Sequence, residues 1–201
     1  GSAAIICGIL GLIVGYAVVR LPGSLISSFL RQVSFFPYLM PGLAFAAAYL
    51  SLFAVARGPI PALYGSLSLL ILVMVVTYLP YSSRSGISAM MQVGPESEEA
   101  GMVLGASFWR RIFSILAPLQ KSALVIAIIL PFITGMKELS LVVMLVTPGT
   151  ELLTTQSIRF LDFGHTQLAN ATILIIGVVV MISVLVLNRI TKTNLATGLG
   201  G

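Results

Sequence analysis

The chain has 201 residues, of which 58% are hydrophobic and 8% charged, and its mean hydropathy is +1.08. A soluble domain carries about 25% charged residues, so a soluble enzyme and a disordered chain are excluded. A net charge of +5 spread this thinly makes no basic stripe for nucleic acid. What remains is an all-α membrane protein, with room for about five transmembrane helices and their loops at about 20 apolar residues per crossing. We read residues 1–201 as one membrane domain. The single cysteine, Cys7, permits no intrachain disulfide.

The first span is expected over 3–19, a stretch without charge. A secretory signal would need a positive segment before it and a small-residue cleavage site after it, whereas Arg20, Leu21 and Pro22 follow. The opening Gly1-Ser2 without a methionine reads as an expression scar or a cut through a longer polypeptide, with an upstream part missing. The second span is expected over 35–56, with Pro37, Pro41 and Gly42 near its start, where a helix tolerates lost backbone hydrogen bonds. The third covers 60–81. The fourth, 122–146, is interrupted by Lys137 and Glu138 and carries Pro131 as an expected kink. The fifth is 168–187. No period-two alternation runs through these segments, which disfavours a membrane β-barrel. Placing 82–121 in the cytoplasm puts Arg20, Arg31, Arg84, Arg110, Arg111, Lys121, Arg189 and Lys192 inside and only Arg57 and Arg159 outside, the bias that orients membrane proteins.

The interval 82–121 holds Arg84, Glu96, Glu98, Glu99, Arg110, Arg111 and Lys121, far more charge than a connection needs. Pro95 and three glutamates open a helix where its dipole favours them, and Gly105 can take the left-handed conformation that stops it. Ala100, Val103 and Leu104 share one face. Ser107 can cap a second helix, in which Phe108, Ile112 and Ile115 form an apolar stripe with Arg110 and Arg111 off it. Such a pair of short helices suits a groove in another protein, or lies on lipid. The leading glutamates argue against an anionic lipid surface.

The order Glu99-Ala100-Gly101, three residues, Gly105, nine residues, Ile115-Leu116-Ala117-Pro118 resembles the EAA loop of ABC importer permeases. Gly101 stands where a second alanine is usual and Ala117 where leucine is usual. The likeness extends to Gly135-Met136-Lys137-Glu138-Leu139-Ser140 and Glu151-Leu152-Leu153-Thr154-Thr155, which look like the carboxy-terminal half of iron(III)-type permeases. The resemblance implies the type I ABC importer permease fold, with cytoplasmic coupling helices seated in a cleft of an ATPase. It implies coupling roles for Glu98, Glu99, Ala100, Gly101, Gly105, Ile115 and Pro118, with Glu99 and Gly105 foremost. It also implies the inner membrane of a prokaryote, cytoplasmic ABC ATPase subunits, an extracytoplasmic solute-binding protein, and a second permease half or homodimer mate. The implied solute is ferric iron, with thiamine, sulfate, phosphonate or another small anion as alternatives. No G-x-x-x-x-G-K-[ST] loop is present, so no cofactor is expected in this chain and ATP would bind to the partner.

Lys137 and Glu138 are the only charges inside an expected span, and are either pathway groups or structural ones near the outer boundary. His165 has only Asp162 nearby and reads as a loop residue; no metal site is expected. Gly11 and Gly15 form a GxxxG that fits packing within the subunit as well as a dimer. A secondary transporter with helices broken at Pro41 and Pro131 is the rival from another class, and a membrane-embedded assembly subunit that moves no solute is a second.

Overall fold

The computed structural model describes residues 1–191, and regular structure among them is helical apart from one isolated bridge between Arg57 and Ile60. In chain order the helices are α1 (Ser2–Arg20), α2 (Leu25–Phe35), α3 (Gly42–Phe53) and α4 (Leu67–Gln92). There follow α5 (Glu96–Val103), α6 (Phe108–Arg110), α7 (Ala117–Leu119), α8 (Lys121–Met136), α9 (Leu153–Asp162) and α10 (Thr166–Thr191). Three of them, α1, α4 and α10, are long and apolar enough to cross a membrane, and two bent helix pairs bring the number to as many as five.

The centre is a triplet in which α1 and α4 run parallel and α8 runs against both. Cys7 Sγ donates to the Val75 carbonyl at 3.4 Å, and further along Gly11 faces Ser82 and Gly15 faces Gly86. A Cβ on Gly86 would lie 2.0 Å from the Gly11 carbonyl oxygen, so the two backbones touch. The GxxxG is thus used within the subunit, where small residues let helices approach without a hydrophobic drive. Ser82 also binds α8, its hydroxyl donating to the Ala127 carbonyl at 2.6 Å. That carbonyl is the one Pro131, four residues on, cannot serve, so α8 runs unbroken past its proline.

The apolar run 35–56 is not one helix. α2 begins ten residues earlier, capped by Ser24, passes into a 3-10 turn (Phe36–Leu39), and is bent by 109° from α3. The break falls at Met40, held extended before Pro41. The third run also shifts: Pro59, Pro61 and the positive-φ Gly58 and Gly65 keep its start in a loop, and Ser66 caps α4 at Leu67. α4 then continues to Gln92, because Ser82, Ser83, Gly86 and Ala89 are small enough to bury against its neighbours. The expected interval 82–121 therefore shortens to 93–120. The fourth run ends as a helix at Met136, and 139–146 folds as turns whose Leu141, Val142 and Leu145 form a core with Ala46, Leu69, Leu70 and Val73. α9 is a helix that the apolar pattern did not announce.

Arg20, Arg110, Arg111, Lys121 and Arg189 lie at the end of the bundle that carries residues 93–120, while Arg57, Lys137 and Arg159 lie at the other. Lys192 is outside the described residues.

Gly86→Leu should destabilise the fold by about 3 kcal/mol or more, because its neighbour is backbone that cannot rotate away. Gly177→Leu on α10, with nothing within 4 Å, should stay within about 0.5 kcal/mol. Thermal unfolding of the purified variants in detergent checks the contrast.

Candidate functional site

Residues 93–120 fold into a knob at the basic end. Glu96, Glu98 and Glu99 occupy the first turn of α5, as its dipole favours. Gly105 closes it at φ +74°, with Gly105 N–H donating to the Met102 carbonyl and Ala106 N–H to that of Gly101, both at 2.9 Å. The Ser107 hydroxyl accepts from Arg110 N–H at 3.4 Å. From there α6, a π-helical stretch (Arg111–Leu116) and α7 form one continuous helix bent by 85° from α8. The π stretch shifts the apolar stripe expected at Phe108, Ile112 and Ile115. Ile112 and Leu116 are the buried pair, packed with Leu12 and Met90, whereas Phe108 is 42% exposed and meets Tyr16 edge-on at 5.4 Å.

One carboxylate holds the knob to the bundle. Glu98, 5% exposed, accepts from Tyr16 Oη at 2.7 Å, Arg20 Nε at 3.2 Å and Arg111 Nε at 3.4 Å. Each arginine secures a turn as well. Arg20 Nη2 donates to the carbonyls of Val93 (3.0 Å) and Gly94 (3.2 Å), and Arg111 Nη1 to that of Ala106 (3.1 Å). Glu98 therefore joins the C-terminus of α1, the turn into α5 and the turn out of it. The sequence marks Arg20 only as the end of an apolar run and Tyr16 as the polar exception inside it. Their shared partner lies more than seventy residues away and leaves no local signal.

The other motif residues divide between inside and outside. Gly101 is buried, and a Cβ there would meet Ile115 Cδ1 at 2.7 Å, so these two motif positions touch. Glu99, Ala100, Gly105 and Pro118 are exposed. Val103 and Leu104, 87% and 86% exposed, form an apolar tip, and Trp109 and Phe113 stack at 5.9 Å on the next helix, also exposed. The face expected at Ala100, Val103 and Leu104 thus points away from the bundle.

Lys137 and Glu138 lie just past α8, at the opposite end from the knob, rather than inside a helix. Lys137 is exposed. Glu138 Oε2 accepts from Tyr78 Oη at 2.6 Å, its Oε1 from Leu141 N–H at 3.0 Å, and its carbonyl from Thr154 Oγ1 at 2.8 Å. Glu138 thereby ties the turns 139–146 and the start of α9 to α4. His165 and Asp162 are exposed, and among the described residues no three His, Cys, Asp or Glu side chains gather as a metal site.

A family model described as binding-protein-dependent transport system inner membrane component matches residues 8–194. The ferric transport system permease protein FbpB of Actinobacillus pleuropneumoniae is 30% identical over 187 residues, 92% of this chain and 26% of that protein. The sulfate transport system permease protein CysT of Escherichia coli (strain K12) is 27% identical over 151 residues, 70% of this chain and 53% of that protein. The chain thus spans about a quarter of the length of the first and about half of the second. A bacterial alginate ABC transporter, in complex with an alginate pentasaccharide-bound periplasmic protein, matches with TM-score 0.70 at 17% identity, over 95% of this chain and 74% of that one. The MetNI methionine ABC transporter in an inward-facing conformation matches with TM-score 0.61 at 17% identity, over 94% of this chain and 92% of that one. The fold is that of the type I ABC importer permeases.

Glu98→Ala should leave Arg20 and Arg111 without their shared carboxylate and cost about 3 kcal/mol, with faster amide exchange across 93–106, whereas the exposed Glu99→Ala should stay within about 0.5 kcal/mol. Glu138→Gln keeps one acceptor oxygen for Leu141 N–H and can donate its amide N–H to Tyr78 Oη, whose hydroxyl accepts as well as donates, so its unfolding temperature should barely move, while Glu138→Ala should cost about 2 kcal/mol. Solute uptake by Glu138→Gln at normal membrane expression separates the structural role from one in the pathway.

Proposed function

The chain belongs to the family of binding-protein-dependent transport system inner membrane components, and from that premise we propose that it is the transmembrane permease subunit of an ATP-driven importer of a small solute. The observation that carries this reading is the two-sided knob. Its inner side is fastened by Glu98 to α1 and to both flanking turns, and its outer side offers Val103, Leu104, Trp109 and Phe113 to a partner. A surface that is apolar outside and ionically bolted inside is built to receive displacement and pass it on. The partner we assign is a cytoplasmic ABC ATPase, with the knob on the cytoplasmic side of the inner membrane. Coupling is assigned to the motif residues: Glu99, Ala100 and Gly105 at the contact, Glu98, Gly101, Ile115 and Pro118 in its support.

Closure of the ATPase subunits would push α5, and the push would reach α1 through Tyr16 and Arg20 and α4 through the short turn 93–95. The parallel pair α1–α4 would then rock together against a second permease half or homodimer mate. An external binding protein would deliver the solute, a reading supported by the alginate ABC transporter's complex with a pentasaccharide-bound periplasmic protein. ATP stays in the ATPase, and this chain needs no cofactor of its own. Ferric iron is our first assignment for the solute, from the named ferric relatives, and sulfate the second, from CysT. Thiamine and phosphonate rank behind them.

The test is copurification with the ATPase. Leu104→Arg, Glu99→Arg or deletion of 97–105 should reduce recovery of the ATPase by about tenfold or more, since a charge forced into an apolar contact costs more than 1.4 kcal/mol. Uptake into proteoliposomes should stop without ATP and survive collapse of ion gradients. Uptake driven by an ion gradient alone would instead identify a secondary transporter.

A further inference from the structure

All six acidic residues of the sequence lie on α5 or at the opposite end of the bundle, and none lies on α2 or α4. Those two helices nevertheless carry Arg31 and Arg84. Between them is an open cleft of about 500 Å³ whose lining includes Arg31, Gln32, Phe35, Arg84 and Met91. The Arg84 guanidinium carbon sits 4.7 Å from the centroid of the Phe35 ring. Among the described residues, no carboxylate lies within ion-pair distance of either arginine.

Arg84 and Arg31 are both exposed, so a solute in the cleft can reach them. Arg84 lies eight residues before the end of α4, about 12 Å along the helix from it at 1.5 Å per residue. Its guanidinium stacks on the last residue of α2 instead of turning back to the basic end, where α2 begins. A guanidinium held by a ring and without a carboxylate partner keeps its charge and its fork for an anion. The face around it agrees. Tyr81, Ser85, Ser88 and Gln92 continue from Arg84 along α4 and line an adjoining cleft together with the apolar Ala123, Ile126 and Leu130 of α8, to which Ser85 donates at the Ala123 carbonyl. The exposed side of α10, by contrast, is Ile173, Leu174, Met181, Ile182 and Leu185, a surface made for lipid. Arg84 thus borders two adjoining clefts, one toward α2 and one toward α8.

We propose that the α2–α4 cleft binds an oxyanion, with Arg84, oriented by stacking on Phe35, as its principal contact and Arg31 as the second. A guanidinium fork matches planar oxyanions in shape as well as charge, and low-dielectric walls strengthen the attraction. Two unpaired guanidiniums repel a bare ferric ion. Resting on the importer reading, the site then implies that the solute crosses as an anion: a free oxyanion such as sulfate, or ferric iron wrapped in an anionic chelate.

The assembled transporter in lipid nanodiscs is treated with phenylglyoxal, and modification of Arg84, Arg31 and Arg57 is measured by peptide mass spectrometry. Millimolar sulfate or ferric citrate should slow modification of Arg84 by about tenfold relative to chloride at equal ionic strength, and leave Arg57 unchanged. Protection by sulfate identifies a free oxyanion. Protection by ferric citrate, at concentrations where citrate and sulfate give none, identifies a chelate. Arg84→Gln should lower uptake of the protecting probe about tenfold, and Arg84→Lys, which keeps the charge but loses the fork, by less. Absence of protection by either probe, as when lipid phosphate already fills the cleft, overturns the proposal, as does wild-type uptake by Arg84→Gln. Protection of Arg84 in a complex that shows no ATP-driven uptake would sink the importer reading and leave the anion site standing.

Discussion

Contact between two backbones, at Gly11 and Gly15 on α1 and Gly86 on α4, sets the geometry of everything else. In a bilayer apolar side chains gain little by leaving lipid for one another, so helices associate where small residues let their main chains approach. This contact fixes α1 and α4 as a parallel pair at a register in which Cys7 meets Val75 and Arg20 meets Val93. Had the pair slipped by one turn, Tyr16 and Arg20 would no longer reach Glu98. The ionic centre of the knob is thus downstream of a steric fit inside the bundle.

The same physics accounts for the placement of hydroxyls beside prolines. Apolar surroundings offer no water to an unpaired carbonyl, and Ser82 supplies the Ala127 carbonyl that Pro131 leaves free. Thr134 back-bonds to Leu130 and Pro131 one turn on. Pro41 breaks its run, where Pro131 does not: α3 and the 3-10 turn before it offer an open bend, and the chain turns through 109°. A proline in an apolar run is therefore a kink, a break or neither, according to what stands opposite it.

In the knob, two neighbouring glutamates have opposite fates. Glu98 is buried among two guanidiniums and a phenol, while Glu99, the glutamate of the recognisable motif, faces outward. Successive residues of a helix point about 100° apart, so one faces the bundle and the next a partner. A comparable division separates Arg84 from Arg20 and Arg111: the latter two have a carboxylate, and Arg84 has an aromatic ring and an open cleft.

From composition and apolar runs alone, the membrane class, the all-helical architecture, the gathering of cations at one end and the knob with its Gly105 stop could all be read. These follow from local requirements: a run must be long enough to cross, and a helix must begin and end on residues that satisfy its terminal groups. The split of 35–56, the extension of α4 to Gln92, the end of α8 at Met136 and the existence of α9 could not be read. Each depends on what packs opposite, as when small polar residues such as Ser82 and Ser83 are buried by their neighbours rather than left in a loop. The choice of Glu98 over Glu99 as the anchor, and the meeting of Arg31 with Arg84 across a cleft, belong to tertiary structure for the same reason. Hydropathy records what a residue prefers on average, and only the folded chain decides which side chain it will meet.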